Sequence, residues 1–294
     1  MKKIILYILA LVFLGSFCFS TTTIASSQDA LHLWMNTLVP SFLFPLILVR
    51  LLAPYHLLIP FLKPFQKIIW NVFQMDLTSF ELVLTSLFLG FPSASLFLED
   101  FISEESISQK KYNRFLYCTF LASPNFMLIS LRTIYPQDIV VKILLIQLLC
   151  IFTLLIFTRR TPLTLKYKAT AISFFEQLSS SIQRSFEILF IILAYLLIVY
   201  VIIDIVTIPL WESAKIPLKL LSEFSSGCFF INTLSFSLST KIYFTSLLLS
   251  YGGLCVHMQI ISSLSRQYFH YFTFLKYRIA HILLSLLFTY LLLM

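Results

Sequence analysis

Long apolar runs separated by short polar stretches dominate the chain, and several of the runs are interrupted by Gly, Pro or Ser. Runs of this length predict membrane-spanning helices, whereas a β-barrel would show short alternating segments. Residues 139–157 form an uninterrupted run that stops at Arg159 and Arg160, and residues 188–203 form another. We predict an all-α, polytopic membrane protein with about seven to eight hydrophobic segments, some of them broken or re-entrant.

The run from Leu82 to Leu98 contains the first clear interruption, Gly90-Phe91-Pro92-Ser93. Proline has no N–H to donate and glycine frees the backbone, so the predicted helix kinks or stops there. At membrane depth the freed backbone groups must be buried in protein or face a polar cavity. A second interruption, at Gly252-Gly253, lies in the other half of the chain. Two interrupted segments, one in each half, indicate the substrate site of a transporter.

Further interruptions suggest how the chain is divided. Residues 122–125, Ala-Ser-Pro-Asn, break one apolar segment, and residues 222–227, Ser-Glu-Phe-Ser-Ser-Gly, break another. We predict an N-terminal helix or signal anchor with an outer loop over residues 1–29, a first half over 30–160, a cytoplasmic amphipathic linker over 161–184 and a second half over 185–294. A cleaved signal peptide is the alternative for the first apolar run, although its continuation to Phe19 gives it a spanning length.

Charge distribution orients these segments. The chain carries 21 Lys and Arg against 13 Asp and Glu, a net charge of +8, and only 12% of its residues are charged. If every apolar segment spanned the bilayer, the basic stretches at 110–114 and 159–168 would both face outside, against the positive-inside rule. A re-entrant hairpin over residues 82–98 puts both inside. We therefore predict two inverted halves, with a second-half hairpin that enters from the opposite side.

Several classes of function have little support in the sequence. No basic run is dense enough to predict nucleic-acid binding, and the patterns HExxH, GxSxG and the P-loop are absent, so an enzyme is not predicted. The five cysteines lie in apolar surroundings without CxxC spacing, so we interpret them as small core residues and predict no metal or other cofactor.

Several ionisable residues lie within or beside apolar segments, where they have either a structural or a functional role. Glu187 is expected to pair with Arg184 at a helix end. Arg50 either neutralises a carboxylate or, as the favoured alternative, extends to the membrane interface. Glu223, beside Ser225 and Gly227, either carries a coupled proton or caps a helix.

An anionic substrate would suit the interruptions. Helices that restart at Pro92 or Gly253 would present N–H groups and a partial positive charge to a carboxylate, with Ser93, Ser123 and Asn125 adding hydrogen bonds and Phe91 an aromatic wall. His257 and Gln259 follow the double glycine and serve either packing or the site. Alternatively, Pro and Gly merely kink the spans for packing.

An ordered series of short motifs resembles a known family. The motifs are Pro40-Ser41 with Pro45, Gly90-Phe91-Pro92-Ser93, Cys118 with Ser123-Pro124 and Phe126, Glu223-Phe224-Ser225 with Gly227, and Gly252-Gly253-Leu254 with His257-Met258-Gln259. Together they are similar to the signatures of the YlbJ-type sporulation integral membrane proteins, in the nucleoside-recognition (Gate) domain group. The resemblance covers roughly residues 30–264. Ala94 and Thr119-Phe120 depart from the family pattern.

The resemblance implies two Gate-like halves and a transporter that moves dipicolinate across the outer forespore membrane during sporulation. Its partners would be a small organic anion and the lipid bilayer, with room for a homo-oligomer or a membrane partner. The alternatives are a non-transporting scaffold or sensor with a Gate-like fold, and a transporter of a nucleoside or another small metabolite. The interruptions and the motifs together select these substrate-binding candidates: Ser41, Gly90, Phe91, Pro92, Ser93, Ser123, Asn125, Glu223, Ser225, Gly227, Gly252, Gly253, His257 and Gln259.

Overall fold

The structure, a computed structural model, describes residues 2–101, 108–164, 173–264 and 269–293. These residues are mainly helical, and the β-type pairing found among them is an isolated bridge between Met75 and Leu163. The helices are α1 (Lys2–Cys18), α2 (Ser20–Leu33), α3 (Val39–Leu52), α4 (Ile59–Leu62), α5 (Gln66–Phe73), α6 (Leu77–Leu89), α7 (Ser93–Phe101), α8 (Gln109–Thr119), α9 (Gln137–Phe157), α10 (Phe174–Thr207), α11 (Glu212–Ser222), α12 (Phe224–Thr233), α13 (Leu238–Tyr251), α14 (Gly253–Ser263) and α15 (Tyr271–Leu293).

Five helical stretches among the described residues are long and apolar enough to cross a bilayer: Ser20–Tyr55, Gln137–Phe157, Phe174–Thr207, Leu238–Ser262 and Tyr271–Leu293. A helical turn with π-type hydrogen bonding, Trp34–Leu38, joins α2 to α3 within the first stretch. Other apolar segments are divided into shorter helices, as in α6 and α7. The prediction of an all-α, multi-pass membrane protein is confirmed at this level.

Two ends of the molecule are distinguished by their polar contacts. At one, Arg114 donates to the carbonyl oxygen of Thr161 at 2.6 Å, and Arg184 pairs with Asp100 at 3.1 Å. We call this the basic end, since Arg159 and Arg160 also lie there. At the other, the opposite end, Lys219 pairs with Asp204 at 3.0 Å.

Helices α2 and α3 run antiparallel to α10 between these ends. Ser26 donates to the Asp204 carboxylate at 2.6 Å near the opposite end, and Trp34 donates to the Leu189 carbonyl oxygen at 2.9 Å further along. At the basic end Gln177 donates to the carbonyl oxygen of Arg50 at 3.0 Å. Residues 21–29, the polar part of the N-terminal segment where the outer loop was predicted, lie in α2. Helix α10 begins eleven residues before the predicted second half because Ser173 and Glu176 form a capping box. Residues 165–172 of the predicted linker lie outside the described residues.

The first interrupted unit is a hairpin of α6 and α7 that opens at the basic end. Asp76 N–H, before α6, donates to the Leu163 carbonyl oxygen at 3.1 Å, and Asp100, near the end of α7, contacts Arg184. The tip of the hairpin is Gly90-Phe91-Pro92. Helix α8 then starts at the basic end, the helix is lost over residues 120–123, and it resumes at Pro124 before α9 returns.

A second interrupted unit has the reverse orientation. Helices α11 and α12 form a hairpin that opens at the opposite end, where Phe230 lines a cavity with Asp29 and Asp204. The tip of this hairpin is Glu223. Helix α13 runs inward from that end to Gly252, α14 continues, and α15 packs antiparallel to α13, with Thr289 donating to Ser246 at 2.9 Å. The Glu223 break therefore lies at a hairpin tip, as the Gly90 break does, whereas the breaks at residues 120–123 and 252–253 each separate two consecutive helical segments.

An ion-pair network at the basic end joins three helices. The Asp100 carboxylate on α7 lies 2.6 Å from Arg50 on α3 and 3.1 Å from Arg184 on α10. Arg50 is therefore buried and neutralises a carboxylate, as one of its two predicted roles required, and its side chain does not extend outward as the favoured alternative predicted. Arg184 also pairs with Glu187 at 2.7 Å, as predicted.

We expect Asp100→Asn to lower the free energy of unfolding by about 2 kcal/mol, because two guanidinium groups lose their shared carboxylate. Glu187→Gln is the matched control, since Glu187 is largely exposed and contacts the same Arg184. It should change stability by less than about 0.5 kcal/mol. Thermal unfolding of the purified protein in detergent checks both, and equal effects of the two substitutions would contradict the network.

Candidate functional site

The helix interruptions, although far apart in the sequence, meet at one buried point. Phe91 N–H donates to the Leu121 carbonyl oxygen at 2.7 Å, which joins the α6–α7 tip to the break after α8. A Cβ atom added at Gly253 would lie 2.9 Å from the backbone nitrogen of Phe224. The rings of Phe91 and Phe224 are 4.9 Å apart and join the two pairs. We define the break cluster as residues 90–92, 120–123, 223–224 and 252–253.

Glycine is required where the backbones approach most closely. Gly90 has φ +68° and ψ 168°, a conformation that residues with a side chain rarely adopt, and its added Cβ would lie 2.3 Å from the Ser123 nitrogen. Gly253 has φ +78° and lies directly against the Glu223–Phe224 backbone. The two tips therefore touch neighbouring breaks through backbone atoms, with no space for a side chain between them.

Aromatic rings fill the centre of the cluster. Phe91 stacks on Phe120 with ring centroids 4.3 Å apart, and Phe224 contacts Phe126 at 5.1 Å. The central cavity that remains has a volume of about 10 Å³ and is lined by Phe91, Pro92, Glu223, Phe224, Cys255 and Gln259 among others. This volume suits about one water molecule. The described conformation is therefore closed at the cluster.

Glu223 caps helix α12 from the tip of its hairpin. Its carboxylate accepts hydrogen bonds from the N–H groups of Ser225 at 3.0 Å and Ser226 at 2.7 Å, and from the Ser225 hydroxyl at 2.6 Å. The side chain is buried. These contacts are those of an N-terminal cap, one of the two predicted roles, and Glu223 also lines the central cavity.

The amide groups at the start of α7 are already used. Ala94 N–H donates to the Gly90 carbonyl oxygen at 2.8 Å, and the N–H groups of Ser95 and Leu96 both donate to that of Pro92. These donors were predicted to face a carboxylate, and here they close the turn instead. The Ser93 hydroxyl and the side-chain amide oxygen (Oε1) of Gln259 are buried and find no hydrogen-bond partner among the described residues. These two polar atoms are therefore available to form hydrogen bonds with a ligand.

Other predicted site residues have structural partners. His257 Nε2 lies 3.0 Å from the Tyr251 carbonyl oxygen, and its Nδ1 lies 3.2 Å from the Tyr271 hydroxyl. Asn125 donates to the Ser41 carbonyl oxygen at 3.4 Å, so these two contact each other. Gly227 allows α12 to approach α11, since its added Cβ would be 2.7 Å from the Leu220 carbonyl oxygen.

Arg278, which is not among the residues predicted from the sequence, contacts the break cluster directly. Its guanidinium, fully buried in α15, donates to the carbonyl oxygens of Phe120 at 3.0 Å and Tyr117 at 3.2 Å, both at the end of α8. It also contacts the Ser250 carbonyl oxygen, near the end of α13, at 3.5 Å and lies 4.0 Å above the Phe120 ring. A positive charge thus stabilises the carboxyl ends of two interrupted helices. The available signal in the sequence is a basic residue inside an apolar stretch.

Four of the five cysteines are buried as predicted, whereas Cys18 is exposed. Among the described residues, no group of three His, Cys, Asp or Glu side chains could hold a metal ion. No family model, curated protein or solved structure matches this chain.

Proposed function

We propose that this protein is a membrane transporter of a small organic anion, with dipicolinate, moved into the forespore during sporulation, as the substrate suggested by the resemblance. One observation carries the proposal: interruptions from two oppositely oriented units meet in a single break cluster. Interrupted helices at the interface of inverted repeats form the substrate sites of many secondary transporters. Residues 30–160 and 185–294, each of which contains one of the two interrupted hairpins, would be the two Gate-like halves.

Cavities on both sides of the cluster support a transport path. A cavity of about 420 Å³ opens at the basic end, and one of about 160 Å³ lies at the opposite end beside Ser222 and Ser226, the neighbours of Glu223. Between them the central cavity has only about 10 Å³. We interpret this arrangement as the occluded state of an alternating-access cycle, in which relative movement of the two units opens either side.

The charge distribution supports one orientation in the membrane. Lys110, Lys111, Arg159 and Arg160 lie at the basic end, which therefore faces the cytoplasm in our proposal. The protein would be a multi-pass protein of the cell membrane. Assignment to the outer forespore membrane depends on the resemblance alone.

A non-transporting scaffold or sensor is the second candidate, and the closed centre favours it. Glu223 and Arg278 are both engaged at helix ends. In a scaffold or sensor that transports nothing, these two charged side chains would serve only the stability of the fold. A nucleoside transporter depends on the wider domain group and has no separate support.

Reconstitution separates the two candidates. We expect the purified full-length protein in liposomes to take up dipicolinate under an ion or proton gradient, above the level of protein-free liposomes. If no dicarboxylate moves under any gradient, the transport proposal is wrong.

Glu223→Gln belongs in the same experiment. The amide keeps one acceptor oxygen for the cap, so we expect a loss of stability of about 1 kcal/mol or less. If Glu223 carries the coupled proton, uptake driven by a pH gradient should fall at least about tenfold, a barrier increase of roughly 1.4 kcal/mol. A stable variant with unchanged proton-driven uptake would restrict Glu223 to capping.

A further inference from the structure

The largest of the cavities described above is separate from the break cluster and has a different character. It has a volume of about 420 Å³, opens at the basic end, and lies between the starts of α8 and α15 and the end of α9. Three cationic side chains line it, from Lys110, Arg114 and Arg160, together with His270. No acidic residue is among the described residues of its lining.

Arg114 adds a positive charge that no carboxylate balances within the described chain. Its guanidinium donates to the carbonyl oxygens of Phe73, Gln74, Leu155 and Thr161 and to the Thr158 hydroxyl. All of these acceptors are uncharged. These contacts fix the guanidinium in the cavity wall. Its positive charge can therefore attract an anion without any movement of the side chain.

Two further features suit an organic anion. Helix α8 begins at Gln109 in the cavity wall, and the first N–H groups of a helix contribute a partial positive charge. Aromatic side chains form another part of the wall: Tyr117 and Tyr277 stack with ring centroids 3.9 Å apart, and Phe157 is exposed beside them. Cations can bind carboxylates while the rings contact an apolar or aromatic body.

A chain of direct contacts leads from this cavity to the break cluster. The Tyr117 carbonyl oxygen accepts from Arg278, whose guanidinium lies on the Phe120 ring. Phe120 in turn stacks on Phe91 at the α6–α7 tip. A ligand held near Tyr117 would therefore be separated from Phe120, the nearest ring of the break cluster, by the Arg278 guanidinium.

We propose that this cavity is a binding site for small organic carboxylate anions with an aromatic or apolar body. The prediction that this site binds such anions depends only on the residues that line the cavity. Its role as the cytoplasmic access site for the transported anion rests on the proposed function. Lys110 and Arg160, both exposed at its rim, are the residues that bind the carboxylates, with Arg114 providing a fixed field.

Calorimetric titration of dipicolinate into the purified full-length protein, in nanodiscs of zwitterionic lipid, tests the site. We expect saturable binding that weakens with added salt. The double substitution Lys110→Gln with Arg160→Gln should weaken binding at least about tenfold, as for loss of two charge-assisted contacts. Lys67→Gln is the matched control, because Lys67 is also an exposed cation on this half of the chain but does not line the cavity. It should change affinity by less than about twofold.

Two competitors define the chemical class. Inorganic phosphate lacks an apolar body and should bind at least about tenfold more weakly than dipicolinate. Nanodiscs with anionic lipid should leave dipicolinate affinity largely unchanged. Binding by the double variant equal to that of the wild type would overturn the proposal, as would equal affinity for phosphate or complete displacement by anionic lipid. A thermal unfolding midpoint equal to that of the wild type confirms that the double variant is folded.

Failure of this binding site and failure of the proposed transport function would give different results. Binding that depends on Lys110 and Arg160 without any uptake by the wild type would support the site and reject transport. Uptake by the wild type together with unchanged binding in the double variant would support transport and reject the site.

Discussion

Gly90→Ala should destabilise the protein more than any other conservative change in the α6–α7 hairpin. The new methyl group would lie 2.3 Å from the Ser123 nitrogen, at a backbone φ of +68°. Neither partner can move easily, because the close atoms belong to two backbones. We expect a loss of about 3 kcal/mol or more, from backbone strain together with the clash. By the scaling of soluble domains this lowers the thermal unfolding midpoint by roughly 5 to 10 °C, and dipicolinate uptake should be lost with it.

Gly15→Ala provides the control for this substitution. Gly15 lies within α1, and its added Cβ would make an ordinary contact, 3.5 Å from Ile205. Alanine is the better helix former, so stability should stay unchanged or rise by up to about 1 kcal/mol. If Gly90→Ala unfolds at the same temperature as Gly15→Ala, the tips and breaks do not meet as described.

Arg278→Met is expected to have the second large effect. The substitution leaves the carbonyl oxygens of Tyr117, Phe120 and Ser250 without the donor that they share, at a position where the side chain is fully buried. Buried acceptors left unsatisfied cost about 1 to 3 kcal/mol each, so we expect a total loss of roughly 3 kcal/mol or more. Arg278→Lys should recover only part of it, because one ammonium cannot reproduce the planar fork that contacts two helix ends.

Thiol labelling adds a local measurement to the unfolding midpoint. Cys118 on α8 is fully buried, one residue from Tyr117. In a Cys18→Ser background it should resist maleimide in the parent protein and react in Arg278→Met, because the end of α8 loses its cap. Lys276→Gln is the matched control, since Lys276 is exposed on the same helix. Unchanged labelling and midpoint in Arg278→Met would reject the capping role.

Local chemistry explains what could be predicted from the sequence. Helical runs and their interruptions depend on hydrophobicity and on Pro or Gly at particular positions, so the breaks at Gly90, Ser123, Glu223 and Gly252-Gly253 were found directly. The Arg184–Glu187 pair was also predictable, since residues three apart lie on one helix face. Positive charge near the ends of apolar runs gave the expected orientation.

Tertiary structure alone decided how these parts fit together. The contact of Asp100 with Arg50 joins residues fifty positions apart, and the contact of Arg278 with Phe120 joins residues 158 apart. Periodicity and motif spacing carry no signal for such distances, so the partners of Arg50 and Arg278 could not be predicted. Whether a break forms a hairpin tip or separates two consecutive helical segments also depends on how its neighbours pack. The closed centre and the basic cavity follow from packing of side chains from separate helices, and this packing exists only in the folded chain.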